Sequence, residues 1–325
     1  MEMSGMMTRR ELIFSTTAAT VAFGLGGRLA FPSLAQAQGA MAQGFHRYSV
    51  GSIEVTALSD GVWEKAHDPG FIKNATVDET KAALAAAGLP IDFVPIPFTP
   101  NLLKTGGKLV LIDTGTGSGQ TGGPKAGTLM RNLAAAGVEP AAIDAILISH
   151  FHGDHIFGLM TKGPENAPVF PKAEIHVSAV EYNFWMDPNV DRLPEARRPL
   201  AKRAQEMFGL LKSRVHPFDG EGELLPGIRP LASYGHTPGH HSFHVSSGSD
   251  QLIVLGDVTN IPALFVKNPG WQAAFDQDAP TAEANRRKLL ERVVADKTKV
   301  TGYHFPFPAA GTIVKDGSGY AFQPA

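Results

Sequence analysis

Residues 150–155 read His-Phe-His-Gly-Asp-His, which places His150, His152, Asp154 and His155 within one hexapeptide. Neutral imidazole nitrogen and carboxylate oxygen suit zinc, and also manganese, iron or cobalt. A packed cluster of such groups is short of partners until a cation joins it. An isolated histidine is ordinarily a surface or hydrogen-bonded residue. Here three of the chain's 12 His fall in one hexapeptide beside an Asp, and that clustering favours metal binding. Two cations about 3.5–4 Å apart can hold a bridging water and lower its pKa from 15.7 to roughly 7. Hydroxide is then present at neutral pH without a serine or cysteine nucleophile. The chain has no Cys and no G-x-S-x-G elbow, so every ligand must be His, Asp or Glu.

Rigid elements must aim these side chains. The apolar run Ala145–Ser149 reads as a buried strand that ends at the hexapeptide. The same arrangement recurs. Lys108–Asp113 is the second strand of a hairpin that begins at Asn101, and it ends at Asp113. Gln251–Leu255 is followed by Asp257, Lys299–Thr301 by His304, and Ile228–Tyr234 by His236. Ligands at strand ends sit on a stiff sheet while loops shape a pocket.

Further strands are predicted at 52–59, 173–177 and 242–245, with a last hairpin at 312–322 turning at Asp316-Gly317. Helical spacing occurs at 77–87, 127–136, 179–186, 193–213 and 283–295. Residues 62–100 otherwise read as irregular, ending in a proline-rich passage from Pro95 to Pro100. Strands grouped with interspersed helices imply two sheets with helices outside them.

The chain has 325 residues, 43% hydrophobic and 18% charged, enough for a sizeable core. A net charge of −2 provides no basic excess for nucleic acid. Thr8-Arg9-Arg10-Glu11-Leu12-Ile13-Phe14, a mildly apolar stretch and Ala35-Gln36-Ala37 resemble a twin-arginine export signal with its cleavage site. The expectation is therefore a signal at 1–37, a domain at 38–325 and a periplasmic address. The apolar stretch is too short and glycine-rich for a firm membrane anchor.

The ordered set Asp113-Thr114-Gly115, His150-x-His152-x-Asp154-His155, His236, Asp257 and His304 resembles the metallo-β-lactamase superfamily. Thr56–Gly61, Phe184-Trp185 and Gly235–His240 resemble its methyl parathion hydrolase-like branch. The resemblance implies an α/β (α+β) fold, the four-layer αββα sandwich, with the metal site at one edge. It gives one metal His150, His152 and His236, and the other Asp154, His155 and His304, with Asp257 bridging. Asp113 supports the metal loop without ligating. His236 is the ligand of its loop, and His240 supports or packs. Asp257 would fix the metal separation and Asp154 would help orient the nucleophile. His46, His67, His176, His216 and His244 carry no motif.

The implied activity is a hydrolase with two divalent ions, most simply zinc. It would cleave small-molecule esters, lactones or organophosphate triesters through a bridging hydroxide, and a homodimer would suit its relatives. Phe98, Phe151, Phe157, Trp185, Phe265 and Phe305 are candidates to line an apolar pocket. A periplasmic zinc β-lactamase is the competing enzyme. A metal-binding protein without catalysis is the competing non-enzyme.

Overall fold

A computed structural model describes residues 44–163 and 165–325. The segment read as an export signal lies outside the described residues.

Alternation on the central strands builds the layers. β6 (Lys108–Ile112) and β7 (Ala145–Ile148) run parallel, with Val110 opposite Ala145 and Ile112 opposite Leu147. Successive side chains on a strand point to opposite faces. Val110, Ile112, Ala145 and Leu147 face a core shared with Phe243, Val245, Leu252 and Val254. Leu111, Ile146 and Ile148 face the other way, onto Leu133, Ala204, Met207 and Phe208. Burial on both faces is why these segments are continuous apolar runs.

The first sheet has seven strands. Its order is β1 (Phe45–Val50), β2 (Ile53–Leu58), β5 (Asn101–Thr105), β6, β7, β8 (Glu174–Ser178) and β9 (Val215–Phe218). The second has six: β10 (Ile228–Ala232), β11 (His241–Ser247), β12 (Asp250–Val254), β13 (Lys299–Thr301), β14 (Ala310–Asp316) and β15 (Gly319–Pro324). On β12, Leu252 and Val254 point to the first sheet while Ile253 packs with Leu290 and Val293 of a helix, Ala279–Ala295. Leu129–Ala135 and Arg198–Leu210 cover the first sheet. The layers therefore run helix, sheet, sheet, helix, as the sequence implied.

Several expectations need correction. Residues 62–100 are not irregular. β3 (Val62–Ala66) and β4 (Phe93–Pro97) pair antiparallel around the helix α1 (Val77–Ala86). Pro95 and Pro97 hid β4, because proline within a run argues against a strand except at an edge. This two-stranded sheet has free edges that accommodate both. Strands β1 and β9 were also missed, and both lie at edges of the first sheet, where half-exposed polar residues break the apolar pattern. The long helix predicted at 193–213 is shorter, Arg198–Leu210, because Pro194 and Pro199 confine regular helix to its later part. The helix predicted from 283 begins at Ala279, where the Asp278 side chain accepts the Thr281 N–H and Pro280 occupies the first turn.

Candidate metal centre

Two parallel strand pairs, β6/β7 of the first sheet and β12/β13 of the second, deliver their carboxyl ends to one site. Asp113 follows β6 and the hexapeptide follows β7. Asp257 and His304 follow β12 and β13, and His236 follows β10. The structure brings together all seven residues singled out as ligands. His150, His152 and His236 form one cluster, and Asp154, His155 and His304 another. Asp257 groups with His150 and His155 between the two.

In the first cluster the His152 Nδ1 lies 3.0 Å from His150 Nε2 and 2.9 Å from His236 Nε2. In the second, Asp154 Oδ2 is 3.5 Å from both His155 Nε2 and His304 Nε2. Asp257 Oδ2 is 3.2 Å from His236 Nε2 and 3.1 Å from His304 Nε2, while Oδ1 is 3.4 Å from His155 Nε2. This carboxylate touches both clusters.

The outer hydrogen bonds decide where the imidazole protons are. The Nδ1 of His155 faces Asp113 Oδ2 at 2.8 Å, His236 Nδ1 faces Asp276 Oδ1 at 2.9 Å, and His304 Nδ1 faces the Pro97 carbonyl at 2.8 Å. Each partner only accepts, so each Nδ1 carries the proton. Ser149 donates its hydroxyl to Asp113, so its oxygen accepts from His150 Nδ1 at 3.1 Å. Four Nε2 lone pairs therefore point inward together with the carboxylate oxygens. His155 Nε2 and Asp257 Oδ1 are buried and have no hydrogen-bond partner among the described residues. Inward lone pairs at this spacing fit two divalent cations, and a proton-sharing network does not satisfy them.

The electrostatics agree. Burial and neighbouring imidazoles hold His150 and His152 well below the usual histidine range, as neutral ligands. Burial acts against charging His236, but Asp257 and Asp276 raise it to about 9. His155 is likewise raised despite burial, by Asp154, Asp257 and Asp113. Burial would raise the Asp257 carboxyl, yet His304, His155 and His236 hold it well below the usual carboxylate range. Positive charge is thus favoured beside the carboxylates.

Support extends further outward. Asp113 has a φ of 60°, a left-handed conformation that Asp tolerates, and accepts the Ser149 N–H as well as its hydroxyl. Asp276 Oδ2 meets the buried Arg286 guanidinium at 2.9 Å, and Arg286 also donates to the carbonyls of Val258, Pro269 and Trp271. His240 accepts the Asp257 backbone N–H on Nε2 at 2.9 Å, and burial brings its pKa down to about 3. It stays neutral and supports the bridging residue.

Asp276, Arg286, Glu181 and Asn260 were missed. Asp276, Arg286 and Glu181 act across 10 to 58 residues of chain, and no local spacing marks them. Asn260 alone had a usable signal, a polar residue three positions beyond Asp257. Its amide donates to Asp257 Oδ2 at 3.1 Å.

A cavity of about 250 Å³ opens over the centre. His152, Asp154, Asp257 and His304 form its floor. Trp63 and Ile96 of the β3–β4 hairpin join Phe71, Phe98, Ile261, Phe265 and Phe275 in its walls, and no Lys or Arg among the described residues lines it. Of the aromatic residues expected to line the pocket, Phe98 and Phe265 do so. Trp185 is fully buried and donates to Glu181, Phe151 stacks on Phe208, and Phe305 packs on Phe322. Phe157 packs against the outer core of the first sheet. These four are packing residues because their strand-end or helical positions point them away from the opening.

This fold and donor set define a metal-dependent hydrolase. The chain belongs to the metallo-β-lactamase superfamily, whose profile matches residues 101–300. It is similar to AidC, a dizinc quorum-quenching lactonase solved with the product N-hexnoyl-L-homoserine. Identity is 27% over 87% of this chain and 97% of that one, with a TM-score of 0.81. It is similar to the hydrolase AbOPH at 25% identity, over 87% of this chain and 97% of that one, with a TM-score of 0.79. A quorum-quenching N-acyl homoserine lactone lactonase shares the fold at 20% identity and a TM-score of 0.56, over 82% of this chain and all of that one.

Proposed function

We propose that this chain hydrolyses uncharged carboxylic esters and lactones, with phosphotriesters as a further substrate class. The observation that carries the reading is Asp257, which reaches both clusters at the floor of an apolar cavity that no Lys or Arg among the described residues lines. Two divalent ions, zinc by the nitrogen-rich donor set, would supply Lewis acidity and a water acidified toward neutral pH.

The chain's own residues supply the rest. Asp257 holds the two clusters at fixed separation, and Asn260 fixes the orientation of its carboxylate. Asp154 faces the cavity with its side chain 21% exposed, placed to orient a water on the floor. The Tyr303 hydroxyl donates to the Asp154 carbonyl and steadies that residue. Trp63, Phe71, Phe98 and Phe265 exclude water and take the apolar part of a substrate.

Similarity to a dizinc lactonase supports the lactone. The resemblance of Thr56–Gly61, Phe184-Trp185 and Gly235–His240 to the methyl parathion hydrolase-like branch is what suggests the phosphotriester. A β-lactam carries a carboxylate, and the described residues of the cavity include no Lys or Arg to pair with it. We place the enzyme in the periplasm on the twin-arginine-like segment at 8–14.

The test is turnover of the zinc, manganese and cobalt forms against a lactone, a p-nitrophenyl ester, an aryl phosphotriester and nitrocefin. Turnover of the lactone or aryl ester well above nitrocefin is expected. Nitrocefin as the best substrate would overturn the reading, and full metal loading with no hydrolysis would make the chain a metal binder.

A further inference from the structure

Glu181 is an acidic residue inside the outer core of the first sheet. It lies on the helix Ala179–Trp185, is 1% exposed, and makes no ion pair among the described residues. Its Oε1 accepts the Phe151 N–H at 2.9 Å and the Trp185 indole N–H at 2.7 Å. Its Oε2 accepts the Gly239 N–H at 2.8 Å. A buried carboxylate without a cation is costly, and only such donors make it tolerable.

Two of these donors belong to the metal-ligand loops. Phe151 stands between His150 and His152. Gly239 lies three residues beyond His236 and one before His240, which in turn holds the Asp257 backbone. The His236 loop lies so close to this helix that a Cβ on Gly239 would meet the Glu181 backbone nitrogen at 2.2 Å. The other cluster is held elsewhere: His155 by Asp113 and His304 by the Pro97 carbonyl.

We propose that Glu181 is a positioning residue that straps the His150–His152 loop to the His236 loop and thereby sets the geometry of one of the two cation sites. The inference rests on the two-cation part of the functional reading and is independent of the substrate. The strap acts on the His150, His152 and His236 cluster and leaves the Asp154, His155 and His304 cluster to its own supports.

Glu181→Gln is the direct test. A carboxamide of the same size keeps one acceptor oxygen. Placed at Oε1 it retains Phe151 and Trp185, and the amide nitrogen then faces the Gly239 N–H, donor against donor. Trp185→Phe is the control, because it disturbs the same helix and core yet leaves both loop contacts. The readout is stepwise removal of zinc from the loaded protein by a chelator, alongside the absorption spectrum of the cobalt form.

In E181Q one of the two ions is expected to dissociate at least about tenfold more readily while the other is retained. The cobalt spectrum should lose the contribution of one site, and W185F should keep two tightly held ions. Should E181Q fail to fold, E181D, whose shorter arm cannot span both loops, carries the same comparison. Equal weakening of both ions, unchanged affinity, or identical behaviour of W185F would overturn the proposal. These outcomes are read without any substrate, so they stand apart from success or failure of the hydrolase assay.

Discussion

The backbone N–H of Asp257 donates to Nε2 of His240 across 2.9 Å. His240 therefore spends on Asp257 the ring nitrogen that a metal would need, and its other nitrogen faces Ser233. Gly256 permits the approach, since it has a φ of 56° and a Cβ there would lie 2.8 Å from the imidazole. His240→Leu should keep two metals at saturating zinc and lose about 10- to 100-fold in kcat. His240→Gln retains an acceptor and should lose less. Metal analysis with turnover checks both, and a stoichiometry of one in H240L would make His240 a ligand.

Asp257→Ala should remove most metal-dependent turnover, roughly 100-fold or more, while far-UV circular dichroism stays unchanged. The fold persists because β12 and β13 are held by the cores on either side of the second sheet. Near-normal activity in the metal-replete variant would contradict the bridging role.

Arg286→Met should destabilise the protein by about 3–5 kcal/mol, because it leaves the Asp276 carboxylate buried without its cation. Urea unfolding measures this. Pairing it with Asp276→Asn should recover part of the loss, since neither charge is then stranded.

Chelation should lower the melting temperature. A cation present at about 100 times its Kd adds roughly 2.7 kcal/mol, equivalent to about 4–5 °C in a domain of this size. Thermal melts with and without chelator test it, and readdition of zinc should restore the original transition.

Trp63→Ala should raise KM for an aryl ester by about tenfold with little change in kcat, as expected for loss of apolar contact remote from the reacting atoms. A fall in kcat at constant KM would place Trp63 closer to the chemistry.

The clustering of these seven residues was legible because metal chemistry restricts residue types and because each of them follows a strand. The layered fold was legible for the same reason: strands such as Ala145–Ile148, buried on both faces, stand out as apolar runs. The β3–β4 hairpin was hidden because its strands meet across a helix and one contains two prolines. That hairpin supplies Trp63 and Ile96, so this part of the pocket wall stayed invisible with it. Glu181 acts through the distant backbone N–H groups of Phe151 and Gly239, and Asp276 through the side chains of His236 and Arg286, and nothing in their sequence neighbours signals it.

The donors come from both halves of the sandwich: the hexapeptide from the first sheet, and His236, Asp257 and His304 from the second. A nascent chain that has completed only the first sheet owns neither cluster whole. Cation capture thus reports that the two halves have met, and the ions rivet together the same layers whose edge they occupy.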